Sequence, residues 1–105
     1  MKLWIDDIRP APEGYRWIRS VERAIFFIDA YERIAKALPD EKHVIELIDI
    51  DHDAGEFVVM GGDYIKLLDW FEETGRNYPI HIHSMNPVGV ANMRAIIKRN
   101  GWTEV

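Results

Sequence analysis

Apolar positions come in short blocks whose spacing changes along the chain, and each block has its own stop signal. Lys2 to Ile5 is a brief β-prone run closed by Asp6 and Asp7. Ile8 to Gly14 holds Pro10 and Pro12, which fix φ and lack an N–H, so it reads as a loop. Tyr15 to Arg19 alternates aromatic and basic residues around Ile18 and predicts a second strand near a sheet edge. Ser20 is suited to cap a helix, in which Val21, Ala24, Ile25, Ile28, Ala35 and Leu38 fall near one face and Pro39 ends the run. Val44 to Ile50 predicts a third, apolar strand. Ala54 to Gly62 is a glycine-bounded loop with an apolar middle, expected to fold over a site or to meet another subunit. Asp63 reads as the cap of a second helix with Ile65, Leu68 and Phe71 inward and Gly75 past its end. Pro79 to His83 is a fourth strand. Asn86 and Pro87 then open a third helix that stops at Gly101.

Strands alternating with helices predict an α/β fold: an open, mostly parallel four-stranded sheet with helices on both faces, within one domain over residues 1–105. The direction of the second strand stays open, since only a short loop precedes it.

Composition narrows the function classes. The chain has no cysteine, which removes disulfides and thiolate zinc sites. Charges at Lys2, Asp6 and Asp7 break any apolar leader, and no stretch nears the roughly 18 apolar residues of a membrane span. The cytoplasm is the expected location, with no membrane contact. A net charge of −5 argues against bulk DNA binding.

Chemistry collects at three predicted strand ends: Asp6 and Asp7; Asp51, His52 and Asp53; His81, His83 and Ser84. In open parallel sheets, loops and helix starts converge beyond the C-terminal strand ends. Carboxylates gathered there stay ionised at low cost only around a cation, so Asp6, Asp7 and Asp51 are the expected ligands of a divalent metal, Mg or Mn, through oxygen atoms alone. Structural roles compete: either acidic pair on its own reads equally as turn formers, and His81 with His83 as a polar strand face. His83, nearer the strand end, is favoured over His81 for contact with substrate. Ser84, Asn86 and the third helix start offer donors to a phosphate, and Arg9 a positive charge. Asp49 is an added acid on the strand face of Asp51; if buried it raises a neighbour's pKa. His43 reads as solvated, and Trp4, Trp17 and Trp70 as packing.

The motifs Leu3-Trp4-Ile5-Asp6-Asp7-Ile8-Arg9-Pro10, Asp51-His52-Asp53-Ala54-Gly55 and His81-Ile82-His83-Ser84-Met85-Asn86-Pro87-Val88-Gly89 together resemble the cyclic-phosphate-processing receiver domains, a bacterial and phage family related to response-regulator receivers. The resemblance implies a truncated receiver or flavodoxin-like fold and a role in RNA repair on nucleotide or RNA-end cyclic phosphates. It assigns Asp6 and Asp7 to the metal, Asp51 to the position receivers phosphorylate, and Ser84 to the phosphoryl contact. It gives His52, Asp53 and His83 to the cyclic-phosphate version. Two departures stand out. The fifth strand with its lysine is expected to be absent, which speaks against two-component signalling, and a proline loop replaces the first helix.

The expected activity is a metal-dependent phosphoesterase. Asp51, His52, Asp53 and His83 are its candidate catalytic residues, and Ser84, Asn86 and Arg9 its substrate contacts. Water attack and a covalent route through Asp51 both remain open. The alternative is a non-catalytic receiver-like module that binds metal, nucleotide or a partner protein. A weaker third reading is a transition-metal site made by His52, His81 and His83.

Overall fold

The computed structural model describes all residues from Met1 to Val105. Its elements are β1 (Lys2–Ile5), β2 (Tyr15–Ile18), α1 (Val21–Ala37), β3 (Leu47–Ile50), a 3-10 turn (Gly55–Val59), α2 (Ile65–Thr74), β4 (Ile80–Ile82) and α3 (Pro87–Asn100). The four strands form one sheet in the order β2-β1-β3-β4. Every pairing is parallel, β2 included.

Strand periodicity decides what the helices cover. Leu3, Ile48 and Ile80 lie in register across β1, β3 and β4, and Ile5 pairs Ile50 and Ile18 one step further on. These residues join Val21, Ala24 and Ile28 of α1, Leu67, Leu68 and Phe71 of α2, and Met93, Ile96 and Ile97 of α3 in one buried core. Each of these side chains larger than alanine contributes about 1.5–3 kcal/mol by leaving water. The opposite parity, with Lys2, Trp4, Tyr15 and His81, stays exposed or half-buried except at Asp49, which is buried.

All three helices therefore pack on one face, which corrects the expectation of helices on both. The path of the chain explains it. The connections β2-α1-β3 and β3-α2-β4 both move across the sheet in one direction, and right-handed crossovers put both helices on the same side. Only β1 to β2 steps the other way, and that link is the proline loop. The indole of Trp4 donates to the Arg9 carbonyl at 2.8 Å, tying the loop to the helix-free face.

Helix ends follow their capping chemistry. Ser20 accepts from the Arg23 N–H, Asn86 accepts from the Gly89 N–H, and Pro87 opens α3. Gly75 and Gly101 end α2 and α3 in the left-handed region, at φ 69° and 68°. Three expectations shift. β3 is shorter, starting at Leu47. The far end of α1 leaves the core, with Ile34 and Leu38 exposed. Thr103 to Val105 pair alongside β4 through a parallel bridge between Ile80 and Glu104, so a stub stands where no fifth strand was expected. No helix is long and apolar enough to cross a membrane.

Candidate functional site

β1 and β3 are adjacent and in register, so the residues just past their ends emerge side by side. That brings together Asp6, Asp7 and Asp51, all buried, with one carboxylate oxygen from each within 4.8 Å of the others. The three carboxylates differ in what holds them. Asp6 Oδ1 accepts from the N–H groups of Ile8 and Arg9, and Oδ2 takes Arg9 Nε at 3.0 Å. Burial pushes its pKa up. The Arg9 and Ile8 N–H groups, His83 and the Arg9 charge outweigh that and hold it below the ordinary value. Asp7 goes the other way: burial, then the charges of Asp6 and Asp51, raise it. Asp51 Oδ1 accepts from the His52 N–H at 2.7 Å, and its Oδ2 lies 3.2 Å from Arg9.

Arg9 thus bridges Asp6 and Asp51 with a half-exposed guanidinium. Burial works against its charge, but Asp6 and Asp51 hold its proton above the ordinary value. Behind the cluster, the buried Tyr64 hydroxyl donates to the Arg19 carbonyl at 2.7 Å. Burial, then the charges of Asp7, Asp6 and Asp51, drive its phenol pKa upward.

His83 closes one side. Its Nδ1 lies 2.6 Å from Asp49 Oδ1 and its Nε2 3.0 Å from Asp6 Oδ2. The ring stacks on Trp4 at 3.8 Å between centroids, 3° from parallel. Two carboxylates and an indole face fix the position of this imidazole. Asp49, an oddity in the sequence, is the residue that does most to orient it. Trp4 packs, as expected, and what it packs on is His83.

A second, more exposed group adjoins. His52 Nδ1 lies 2.9 Å from Asp53 Oδ1, and Asn86 Nδ2 reaches the same carboxylate at 3.3 Å. Asn86 Oδ1 caps α3, so both ends of that amide are engaged within the protein. His52, Asp53 and Asp63 also bring ligand atoms within 4.8 Å. Asp63 accepts from the Ala54 N–H, while Tyr64 precedes α2 without a side-chain cap; the capping role read for Asp63 is thereby corrected. Ser84 Oγ accepts from the Asn86 N–H at 3.1 Å, which leaves its own O–H free to donate.

Two glycines set the fit. A Cβ on Gly55, at φ +55°, would stand 2.2 Å from Asp7 Oδ2, and one on Gly89 would stand 2.4 Å from the His52 ring. Gly55 begins the apolar loop, which folds against the site through this contact. The donor set Asp6, Asp7 and Asp51 is oxygen only, and Gly55 keeps the space around Asp7 clear of side chain. These residues fit a hard divalent cation such as Mg or Mn. His52, His81 and His83 do not converge: no cluster of ligand atoms holds more than one of them, and His81 Nδ1 bonds the Val105 carbonyl. The three-histidine site is therefore not formed. The partners of His83 and the role of Gly89 were beyond sequence reasoning, though Asp49, two residues from Asp51, was the available signal.

Neither curated proteins nor solved structures gave a match. A family profile described as the cyclic-phosphate processing receiver domain matches residues 1–99. The fold, with acids past β1 and β3 in a parallel sheet, agrees with it, and the chain belongs to the cyclic-phosphate processing receiver domain family.

Proposed function

We propose that the domain is a metal-dependent phosphoesterase that opens a cyclic phosphate on a nucleotide or RNA end. The observation that carries this reading is His83, held between Asp49 and Asp6 at the rim of the carboxylate cluster. A site that only sequesters a cation or phosphate has no need of a rigidly oriented proton-transfer group there.

Asp6, Asp7 and Asp51 would hold the ion. Bound there, it would supply Lewis-acid polarisation of the phosphoryl group and a more acidic water. His52, whose Nδ1 rests on Asp53, takes the proton of the attacking water at Nε2. The water oxygen forms a bond to phosphorus as one ring P–O bond breaks. His83 Nε2, released from Asp6, delivers a proton to the departing ribose oxygen. The Ser84 hydroxyl and the Val88 N–H, the one first-turn N–H of α3 without a partner, stabilise the added negative charge. The product is a phosphomonoester.

Arg9 favours a second reading. It already bridges two of the three carboxylates, so the cluster is partly neutralised without any ion. In that reading the domain is a non-catalytic module that binds metal, nucleotide or a partner protein.

Purified protein incubated with a nucleoside 2′,3′-cyclic phosphate and Mg, Mn or Zn separates the two. The phosphoesterase gives metal-dependent turnover that Asp51→Asn abolishes with the circular dichroism spectrum unchanged. Turnover retained in Asp51→Asn removes the assignment of Asp51, and none with any ion leaves the binding module.

A further inference from the structure

The chain has eight arginines. Arg9, Arg33, Arg76, Arg94 and Arg99 are each ion-paired with an acid. Arg16, Arg19 and Arg23 form no ion pair, and all three line one groove of about 550 Å³ between β2, the start of α1 and the 3-10 turn. In a chain of net charge −5 this is a local concentration of unneutralised positive charge.

Aromatic rings are interleaved with these cations. The Arg16 guanidinium lies 5.0 Å from the Phe27 ring centroid. Arg19 sits between Trp17 at 4.8 Å and Phe57 at 4.7 Å, and its Nε and one Nη donate to the Asp7 carbonyl. Phe26, on the same wall, is 69% exposed. The groove adjoins a smaller cavity of about 260 Å³ lined by Asp7, Ile8, Arg19, Gly55, Glu56 and Phe57. Arg19 and Phe57 belong to both, and Asp7 lines the smaller one, so the basic groove lies beside the carboxylate cluster.

The geometry points to a binding track for single-stranded nucleic acid, with backbone phosphates on Arg16, Arg19 and Arg23 and a base on Phe26. Cations beside an exposed ring face are what a phosphate backbone with unpaired bases requires. An acidic peptide uses the charges and leaves the ring face without purpose. The placement of the strand's terminal cyclic phosphate at Asp6, Asp7 and Asp51 rests on the phosphoesterase reading, and makes the substrate an RNA end rather than a free mononucleotide.

Fluorescence anisotropy with a labelled single-stranded RNA of roughly ten nucleotides and a 3′-phosphate, within the span one small domain covers, tests this without needing turnover. The variants are Arg16→Gln/Arg23→Gln and a charge-matched control, Lys42→Gln/Lys98→Gln, at exposed positions elsewhere; thermal melting verifies that both fold. The track predicts at least about tenfold weaker binding in the arginine pair alone. The slope of log affinity against log salt becomes shallower by about 1.4, at about 0.7 per single-strand contact. Phe26→Ala also weakens binding, with the salt slope unchanged. Equal losses in the control pair, unchanged affinity in the arginine pair, or equal competition by poly-glutamate overturns the proposal. Arginine-dependent RNA binding without hydrolysis upholds the track and discards the phosphoesterase. Hydrolysis with arginine-independent binding does the reverse.

Discussion

Asp7 and Asp49 show how one kind of side chain takes opposite parts in one site. Asp7 is buried beside two further carboxylates, and its raised pKa means that the folded state resists its ionisation. The cost is present at neutral pH and disappears as pH falls through the raised folded value. In metal-free protein at pH 7, Asp7→Asn should therefore raise Tm by about 4–8 °C, the effect of about 1 kcal/mol in a domain of this size. Millimolar Mg should raise Tm in the wild type and much less in that variant, since an ion bound only to the folded state stabilises it by mass action. Differential scanning calorimetry with EDTA or Mg measures both. Asp49 instead orients His83. Asp49→Asn should lower kcat roughly tenfold to a hundredfold while KM stays within about twofold, because a misaligned proton donor costs the transition state more than the ground state. Asp49→Glu restores part of the rate if orientation is the role. The gathering of Asp6, Asp7 and Asp51 was legible because parallel strands in register align their ends. The partners of Asp49 were not, because its contact to His83 spans 34 residues and depends on two side-chain rotamers.

At the scale of elements, turn and cap chemistry carried most of the reading. Ser20, Asn86-Pro87, Gly75 and Gly101 mark helix ends by local hydrogen bonding, which sequence shows directly. The one-sided packing was less visible. It follows from strand order, and strand order is decided by long-range pairing rather than by any local residue. Gly89 illustrates the same divide. In a helix sequence it reads as a weak position, about 1 kcal/mol worse than alanine. In space it is where the His52 ring rests on the first turn of α3. Gly89→Ala should keep α3 and the far-ultraviolet circular dichroism intact. It should displace the imidazole from Asp53 and reduce cyclic-phosphate turnover at least about tenfold. Unchanged turnover would show that His52 takes no part in the reaction.

For the whole molecule, acid stability brings distant parts together. Glu32 on α1 accepts from Arg76 at 2.8 Å and from the Tyr78 hydroxyl, and so fastens α1 to the α2–β4 connection. Arg76 lies 4.0 Å from the Trp70 ring centroid, which fixes its orientation. Burial raises the Glu32 pKa, but Arg76 and Tyr78 hold it below the ordinary 4.5. Asp6 is held low in the same manner. Both contribute stability that is complete above about pH 4.5 and is lost as pH falls through their lowered folded values. Asp7 has the opposite sign, so the site partly offsets its own acid loss while the α1 anchor does not. Urea unfolding between pH 7 and pH 3 should thus show falling stability to which Glu32 contributes. Glu32→Gln should be about 1–3 kcal/mol less stable at pH 7, the range for hydrogen bonds to a charged group. Its stability should also decline less steeply in acid, so that the gap between the two proteins narrows as pH falls. Parallel curves at constant offset would mean that packing of the side chain, not its charge, fastens α1 there.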